Sequence, residues 1–390
     1  MHATESRDIL SEMSGLLFAS LSRSDQRRNG MQYLQGLLEV EGRKSIRNIA
    51  TAANAQANEQ SLHHFINSST WDWRTVRRAL AEYLLRTASP QAWVACPMVI
   101  PITGSHTVGV DRRFVPALGQ TLNVQQAIGV WSASDQLSSP ISWRLHLSQA
   151  WLRDASRRNR AAIPDHVPAE SLVDCTIAAI LDVAQNWNLP VRPVVFDGCD
   201  ADAVKIIRRL EAVRVPMLAR ISGNMPLSVA EPSLVGLIAQ PLTASQILAG
   251  SRDLRRLVAW TDEHSETVKR TSVVSAVRVR IPARYPRPRH GERGAGRGEM
   301  ILIGAGVPGR RWPTEYWLTD VVDAPLSTLF RLSRLLDRVE RDTTEIGDQV
   351  GIRDFRGRSF DGWHRHVTLA SSAHAIAALS RRAERASCVS

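Results

Sequence analysis

The order of strand and helix signals between residues 94 and 221 most constrains what this chain can fold into. Three apolar runs, separated by Gly and Pro, come first and are typical of an antiparallel meander. A helical pattern follows, and then a strand, a helix and a further strand. In chain order the segments are Val94–Ile102, Thr107–Phe114, Gln126–Trp131, 170–186, Pro193–Asp197, Ala203–Val213 and Met217–Ile221. A meander followed by a β-α-β unit predicts the α+β class, with a mixed sheet covered by helices.

The same order is that of a ribonuclease H-like domain, and it divides the chain into four segments. Residues 1–90 read as a helical domain, and residues 91–221 as the first part of the core. Residues 222–310 read as a β-rich insertion, and residues 311–390 as C-terminal helices that complete the core. A regular leucine stripe predicts one long helix over Pro325–Val350.

Two short helical patterns near the N-terminus are accompanied by basic residues that precede them in the sequence. Arg43, Lys44 and Arg47 precede the first pattern, and a second follows after a stretch rich in Asn and Gln. Such a pair is typical of a helix-turn-helix, whose second helix can enter a major groove. Helical bundles of any purpose show the same pattern, so DNA contact and simple packing both stay open.

A second basic segment lies in the predicted insertion. Residues 284–291 read Arg-Tyr-Pro-Arg-Pro-Arg-His-Gly, and Pro and Gly there oppose regular structure. The segment is either a solvated linker or a loop that clamps a phosphate backbone through Arg287 and Arg289.

Composition points weakly in the same direction. The net charge is +11, and all but three of the 49 basic residues are arginine, which binds phosphate in a bidentate manner. An arginine-biased genome explains the excess equally well. The four cysteines lie far apart, which argues against a zinc site and favours reduced thiols. Because the sequence contains neither an apolar run of about 20 residues nor a signal-peptide pattern, we expect a soluble, cytoplasmic protein.

Several blocks of the sequence match one known signature. They are Tyr33–Leu38 with Glu41–Lys44, Trp71-Asp72, Thr103-Gly104, Val108–Val110 with Arg113-Phe114, Glu340–Asp342, Phe355–Ser359, and Gly362–Leu369. Together they resemble a cut-and-paste insertion-sequence transposase of the DDE superfamily, in the DDE endonuclease branch. The resemblance implies DNA as the partner and a ribonuclease H-like fold.

The resemblance also implies a catalytic site of three carboxylates that hold two divalent ions about 3.5–4 Å apart, with Mg²⁺ the natural ion for oxygen ligands. The second family acid falls on Asp197, and the third falls on Glu340. The first falls on Pro101, and Ile102 stands where the family has Glu.

Proline at the first position suggests a remodelled site. It offers no ligand oxygen, and in a central strand it also forfeits a ladder hydrogen bond. The third motif of the family departs too, since Ser333, Leu336 and Gly347 replace its other polar members. The chain is therefore read as a pseudoenzyme, a domesticated transposase that binds DNA but no longer cleaves and transfers strands, and Mg²⁺ would bind only if activity survives.

Two alternatives stay open. An active transposase could use a displaced acid, with Asp111, Asp200 or Asp202 as candidates, although Asp200 and Asp202 are better read as helix caps. A recruited enzyme or binding protein could hold a small molecule in the former cleft, lined by Pro101, Ile102, Leu336 and Asp197. We expect His106, His364 and His366 to be structural or solvated. A homodimer is compatible with each hypothesis.

Overall fold

The computed structural model describes residues 2–52, 58–115, 119–199, 202–237, 240–261, 269–282, 298–309 and 312–389. The chain forms two compact units. The first contains Met1–Pro90, Cys96–Leu189 and Arg338–Ser390, and the second contains Gln91–Ala95 and Pro190–Asp337. Helices and strands occur in both, which confirms the α+β class. The four segments predicted from the sequence are grouped differently here and stay a prediction.

Twelve helices and twelve strands are found in the described part of the chain. The helices are α1 (His2–Leu17), α2 (Ser24–Glu39), α3 (Ile46–Ala52), α4 (Glu59–Asn67), α5 (Trp73–Ala88), α6 (Gln149–Arg153), α7 (Ala155–Ala161), α8 (Leu172–Asn186), α9 (Ala203–Ala212), α10 (Ala244–Gly250), α11 (Leu326–Asp342) and α12 (Phe360–Val389). The strands are β1 (Ala92–Pro101), β2 (Val110–Val115), β3 (Gln120–Ala133), β4 (Ser138–Leu145), β5 (Val194–Asp197), β6 (Met217–Arg220), β7 (Pro226–Val229), β8 (Leu242–Thr243), β9 (Arg256–Thr261), β10 (Lys269–Arg280), β11 (Met300–Gly306) and β12 (Glu315–Thr319).

The three strands predicted as a meander are present, but they do not pair in chain order, because β3 lies between β2 and β1. β2 pairs with β3 and β3 pairs with β4, both antiparallel. β4 was not predicted, because its Pro140 argues against a strand. The structure accommodates Pro140 opposite Trp131, where the register of β3 and β4 shifts, and such an irregularity is one of the few places where a strand tolerates proline.

The first unit is organised around α12, which is buried on all sides along much of its length. Trp363, Val367, Ala370 and Ala373 are all fully buried. The hydroxyls of its buried Ser and Thr residues donate to the carbonyl four residues earlier, for example Ser371 to Val367 at 2.7 Å. A helix that is apolar or internally satisfied all round belongs in a core rather than on a surface.

The sequence blocks near the two ends of the chain meet at this helix. The Tyr33 hydroxyl donates a hydrogen bond of 2.9 Å to Nδ1 of His366, and Nε2 of His366 lies 2.9 Å from the Gly351 carbonyl. Arg365 donates to the Ile66 carbonyl at 3.1 Å. The indole of Trp71 stacks on Phe65, and Asp72 caps α5 by accepting from the Arg74 backbone N–H. These blocks therefore have packing roles in this chain.

The second unit contains the predicted β-α-β element and a larger antiparallel extension. Its strand order is β1-β5-β6-β12-β11-β10-β7-β8, with β9 also paired to β10. β1, β5 and β6 are parallel, and the remaining pairs are antiparallel. The sheet is thus mixed, as predicted. Strands β7, β8, β9 and β12 were not predicted, since their short runs lack clear alternation.

The long C-terminal helix is shorter than predicted. α11 ends at Asp342 and a π-helical turn, Thr343–Gly347, follows it. In the described part of the chain, no helix combines the length and the apolar character needed to cross a membrane.

Candidate active site and nucleic-acid interface

Pro101 is the last residue of β1, and its side chain is exposed. Ile102 follows it, is buried, and donates from its backbone N–H to the Asn123 carbonyl at 2.9 Å. The sequence argument placed this proline inside a central strand, at the expense of a ladder bond. The structure corrects that argument, because Pro101 ends the strand and a proline there removes few hydrogen bonds between strands.

Asp197 ends β5, and its carboxylate is engaged on both oxygens. Arg220, the last residue of the neighbouring strand β6, donates from Nε to Oδ2 at 3.0 Å and makes a second, shorter contact through its terminal nitrogen. The Cys199 backbone N–H donates to Oδ1 at 2.8 Å. Burial by itself raises the pKa of Asp197, but the Arg220 and Cys199 hydrogen bonds outweigh it and hold the pKa below its ordinary value.

A second arginine–carboxylate cluster lies in the same unit. Arg334 donates to Glu315 and, at 3.0 Å, to Asp337, while the Trp317 indole donates to Glu315 at 3.0 Å. Burial raises the pKa of Glu315, but the hydrogen bond from Arg334 and the positive charges of Arg334 and Arg220 lower it overall. Asp197 and Glu315 each have a lowered pKa and a guanidinium partner.

The positions of the third family motif lie on and after α11. Ser333 is buried and donates to the Phe330 carbonyl at 2.7 Å, and Leu336 is buried as well. Glu340 is exposed near the end of the helix, and Gly347 ends the π-helical turn. Across the described ranges of the chain, no group of three or more His, Cys, Asp or Glu residues is arranged to hold a metal ion.

A basic groove of about 470 Å³ lies in the first unit, directly after the end of β1. It is lined by the loop Thr103–Thr107 and by Arg43, Arg356 and Arg358. The loop is fixed by hydrogen bonds from Thr107 to the Arg356 carbonyl and from Val108 to the Gly357 carbonyl, both 3.3 Å. Burial lowers the pKa of Arg356, and repulsion from Arg43 lowers it further. The arginines thus converge closely enough to repel one another.

The groove continues into a smaller cavity of about 90 Å³. The two share Ser105, His106 and Arg358, and Arg157 and Arg160 of α7 complete the lining. We call the five arginines and the Thr103–Thr107 loop the basic groove. Among the described residues that line it, none is acidic, although Asp154 lies 3.5 Å from Arg157; the excess of arginine suits a phosphate backbone.

A family model for a DDE superfamily endonuclease matches residues 16–292, which is most of the chain. The chain belongs to the DDE superfamily endonucleases. No curated protein matches it. The match includes Pro101 and Asp197, which the sequence analysis assigned to the first and second family acids. It ends before Glu340 and the Phe355–Leu369 block, on which the resemblance in the sequence had relied most.

The predicted DNA-binding residues of this endonuclease-family chain separate into three groups. Arg43 lines the basic groove, and Arg47 is exposed on α3. Lys44 is buried, and its ammonium donates to the Val40 carbonyl, so it is turned away from any surface partner. Arg287 and Arg289 lie outside the described residues. Helix α4, the predicted recognition helix, exposes Gln60, His63 and His64.

The alternative acids have local roles. Asp202 accepts a hydrogen bond from the Lys205 backbone at 3.1 Å and caps α9, as the sequence predicted. Asp200 lies outside the described residues. Asp111 is half-buried in β2, and its Oδ2 lies 3.7 Å from Arg113. His364 and His366 are buried, and burial lowers the pKa of both, that of His366 to about 4; both are structural, while His106 lines the basic groove.

Sequence reasoning did not single out Arg220, Arg157 and Arg160. A signal for Arg220 existed, since Asp197 and Arg220 both end neighbouring strands of the predicted β-α-β unit, and the carboxyl ends of parallel strands meet at one edge of a sheet. Arg356 and Arg358 belong to the segment Phe355–Ser359, which resembles the family, but the sequence analysis did not predict that they bind DNA. For Arg157 and Arg160 the sequence held no signal beyond their charge.

Proposed function

We propose that this chain is a transposase-derived DNA-binding protein that has lost metal-dependent strand cleavage and transfer. Membership in the DDE superfamily endonucleases supports DNA as the substrate class. The observation that carries the loss of cleavage is the ion pair between Asp197 and Arg220.

The pair matters because a two-metal site needs carboxylate oxygens that are free to bind cations. At the first family position Pro101 has no such oxygen. At the second, Oδ2 of Asp197 takes a guanidinium and Oδ1 takes a backbone N–H. The residues at these two positions do not fit a pair of Mg²⁺ ions, and we assign no catalytic step to a metal. The cation beside Asp197 is the guanidinium of Arg220.

Retention of DNA affinity is supported by the basic groove. Three of its arginines, Arg43, Arg356 and Arg358, are exposed. Arginine binds phosphate oxygens in a bidentate, planar manner. Contacts of this kind position a protein on DNA without reading its sequence. We therefore expect affinity for duplex DNA that falls steeply with salt, because counterions are released on binding.

The test is a nicking and strand-transfer assay with a supercoiled plasmid that carries the DNA flanking the gene. Purified full-length protein is incubated with Mg²⁺ or Mn²⁺, beside an active transposase of the same superfamily on its own DNA ends. We expect DNA binding without nicking. Robust nicking that disappears in Asp197→Ala would overturn the proposal and favour the displaced-acid alternative, and Asp111→Asn and Asp202→Asn would then identify the acid.

The remaining alternative, a small molecule in a cleft lined by Pro101, Ile102, Leu336 and Asp197, stays a prediction. Robust nicking would exclude it together with the leading proposal. Absence of both nicking and salt-dependent DNA binding would favour it.

A further inference from the structure

A cleft of about 360 Å³ lies in the first unit, among α5, β4, α8 and α12. It shares no lining residue with the basic groove. Its volume falls at the lower end of the range for small-molecule sites, about 300–1,000 Å³. Apolar residues that include Trp143, Phe360 and Val167 line part of the cleft, and charged and neutral polar residues line the rest. The site is thus concave, and its lining is divided about equally between apolar and polar residues.

Arg77 is a deeply buried cation of this cleft, and the central carbon of its guanidinium lies 4.3 Å from the centroid of the Trp73 ring. It is only 1% exposed, yet it forms no ion pair with a carboxylate among the described residues. Its hydrogen bonds go to the Thr368 hydroxyl at 2.8 Å, the Trp143 carbonyl at 2.7 Å, and Nδ1 and the carbonyl of His364. A guanidinium has five N–H donors, so at least one stays available. Burial lowers the pKa of Arg77 to about 9, which leaves it charged at neutral pH.

Two other arginines of the lining are already matched. Arg144 donates to Glu170 at 2.8 Å, and Arg74 lies 3.9 Å from Asp72. His364 adds no charge, because burial and the charge of Arg77 lower its pKa well below the ordinary value. Its ring stacks on Trp73 at 4.1 Å and closes that side of the cleft. Arg77 is therefore the one cation of the described lining without a bonded carboxylate.

Asp182 supplies the opposite charge. It lines the same cleft from α8, and its oxygens accept hydrogen bonds from Asn186 at 3.1 Å and Trp187 at 3.2 Å. Asp182 and Arg77 attract each other but do not form an ion pair. A cation and an anion that line one cleft without touching favour a ligand that carries both charges. A simple anion would satisfy Arg77 at the expense of repulsion by Asp182.

We propose that this cleft binds a small zwitterion, an α-amino acid with an apolar side chain. Its carboxylate would accept from Arg77, its ammonium would lie toward Asp182, and its side chain would contact Trp143 and Phe360. A DNA phosphate is a poorer candidate, since a guanidinium that is 1% exposed is out of reach of a duplex backbone. The proposal does not depend on the DNA-related function.

The test uses phenylalanine, leucine and tryptophan as probes and measures thermal stabilisation and calorimetric affinity of the full chain. Phenylalanine is compared with 3-phenylpropionate, which lacks the ammonium, and with 2-phenylethylamine, which lacks the carboxylate. We expect saturable stabilisation by at least one amino acid, with the two analogues at least tenfold weaker than phenylalanine if that is the ligand. Failure of all three amino acids would overturn the proposal, as would equal binding of the matching amine or acid.

Variants of the cleft separate a ligand site from a structural role of Arg77. Asp182→Asn should weaken amino-acid binding at least tenfold while binding of 3-phenylpropionate is unchanged or tighter. Ala178→Phe should abolish binding by filling the cleft. Arg86→Gln, at the far end of α5, should leave affinity unchanged. Unaltered affinity in Asp182→Asn and Ala178→Phe would contradict the proposal, and displacement of the amino acid by a duplex oligonucleotide would assign the cleft to nucleic acid.

Discussion

Arg220 and Asp197 lie opposite each other on the neighbouring parallel strands β6 and β5, joined by a hydrogen bond of 3.0 Å from Nε to Oδ2. The resemblance of the sequence to DDE transposases predicts that Asp197 binds metal ions. Here an arginine of the same chain lies beside it. The geometry therefore suggests that the acid stabilises the fold in this chain, and this can be measured without any assay of DNA cleavage.

Replacing Arg220 should destabilise the second unit in a pH-dependent way. In Arg220→Gln the half-buried Asp197 loses its charged partner, and we expect the free energy of unfolding to fall by about 1–3 kcal/mol at neutral pH. The folded pKa of Asp197 is lowered. The contribution is therefore fully present above the unfolded value, about pH 4, and is lost as the pH falls through the folded value.

Urea denaturation at pH 7 and pH 3 checks this prediction. The difference between wild type and Arg220→Gln should shrink at the lower pH. Arg209→Gln, an exposed site on α9, should change stability by less than about 0.5 kcal/mol. A difference that stays constant down to pH 3 would contradict the assigned role.

The basic groove should make non-specific contacts with DNA. Arg358 lines both of its parts. We expect Arg358→Gln to weaken binding to any duplex and to reduce the slope of log K against log salt by about 1. Filter binding over a salt series measures both quantities. Arg28→Gln, an exposed arginine of α2, is the matched control; if it changed the slope equally, the groove would not be the interface.

Mild acid should destabilise the first unit. Burial lowers the pKa of His366 and of His374 to about 4, and that of His364 well below 6.5. A lowered histidine pKa favours the folded state above about pH 6.5, and this advantage is lost as the pH falls toward 4. His366 and His374 each contribute on the order of a few kcal/mol to that loss.

Urea midpoints measured from pH 7.5 to pH 4.5 test the acid sensitivity. We expect a steady decline beginning near pH 6.5. Tyr33→Phe should lower stability by about 1–2 kcal/mol throughout, since Nδ1 of His366 loses its donor. His63→Gln, at an exposed site of α4, should leave the pH profile unchanged. A flat profile across this range would contradict the assignment.

Because α2 and α3 pack closely at Gly36, we expect any larger residue there to lower the stability of the protein. A Cβ atom there would overlap the side chain of Ile49, which is fully buried. We expect Gly36→Ala to cost about 1–3 kcal/mol through overpacking. At Gly15 of α1 a Cβ would meet nothing within 4 Å. Gly15→Ala should therefore stabilise the helix by about 0.5–1 kcal/mol, and thermal denaturation of the two variants distinguishes these opposite signs.

Much of the fold could be predicted because its signals are local. Apolar runs located β1, β3 and β5, alternation located β2, and helical spacing located α8 and α9 to within a few residues. The cap of α9 by Asp202 was predicted for the same reason. Short strands without alternation were not predicted, since their pairing depends on neighbours distant in the sequence.

The sequence by itself determined the α+β class and the family, because both are set by residue identity and by spacing over a few positions; it also predicts that Pro101 stands where the family has its first acid. Only the tertiary structure decided that Arg220 pairs with Asp197, and that Arg43, Arg157 and Arg358 line one groove. Which charges meet depends on strand adjacency and helix packing between residues far apart in the chain. The local periodicity of the sequence therefore does not predict which charged residues pair.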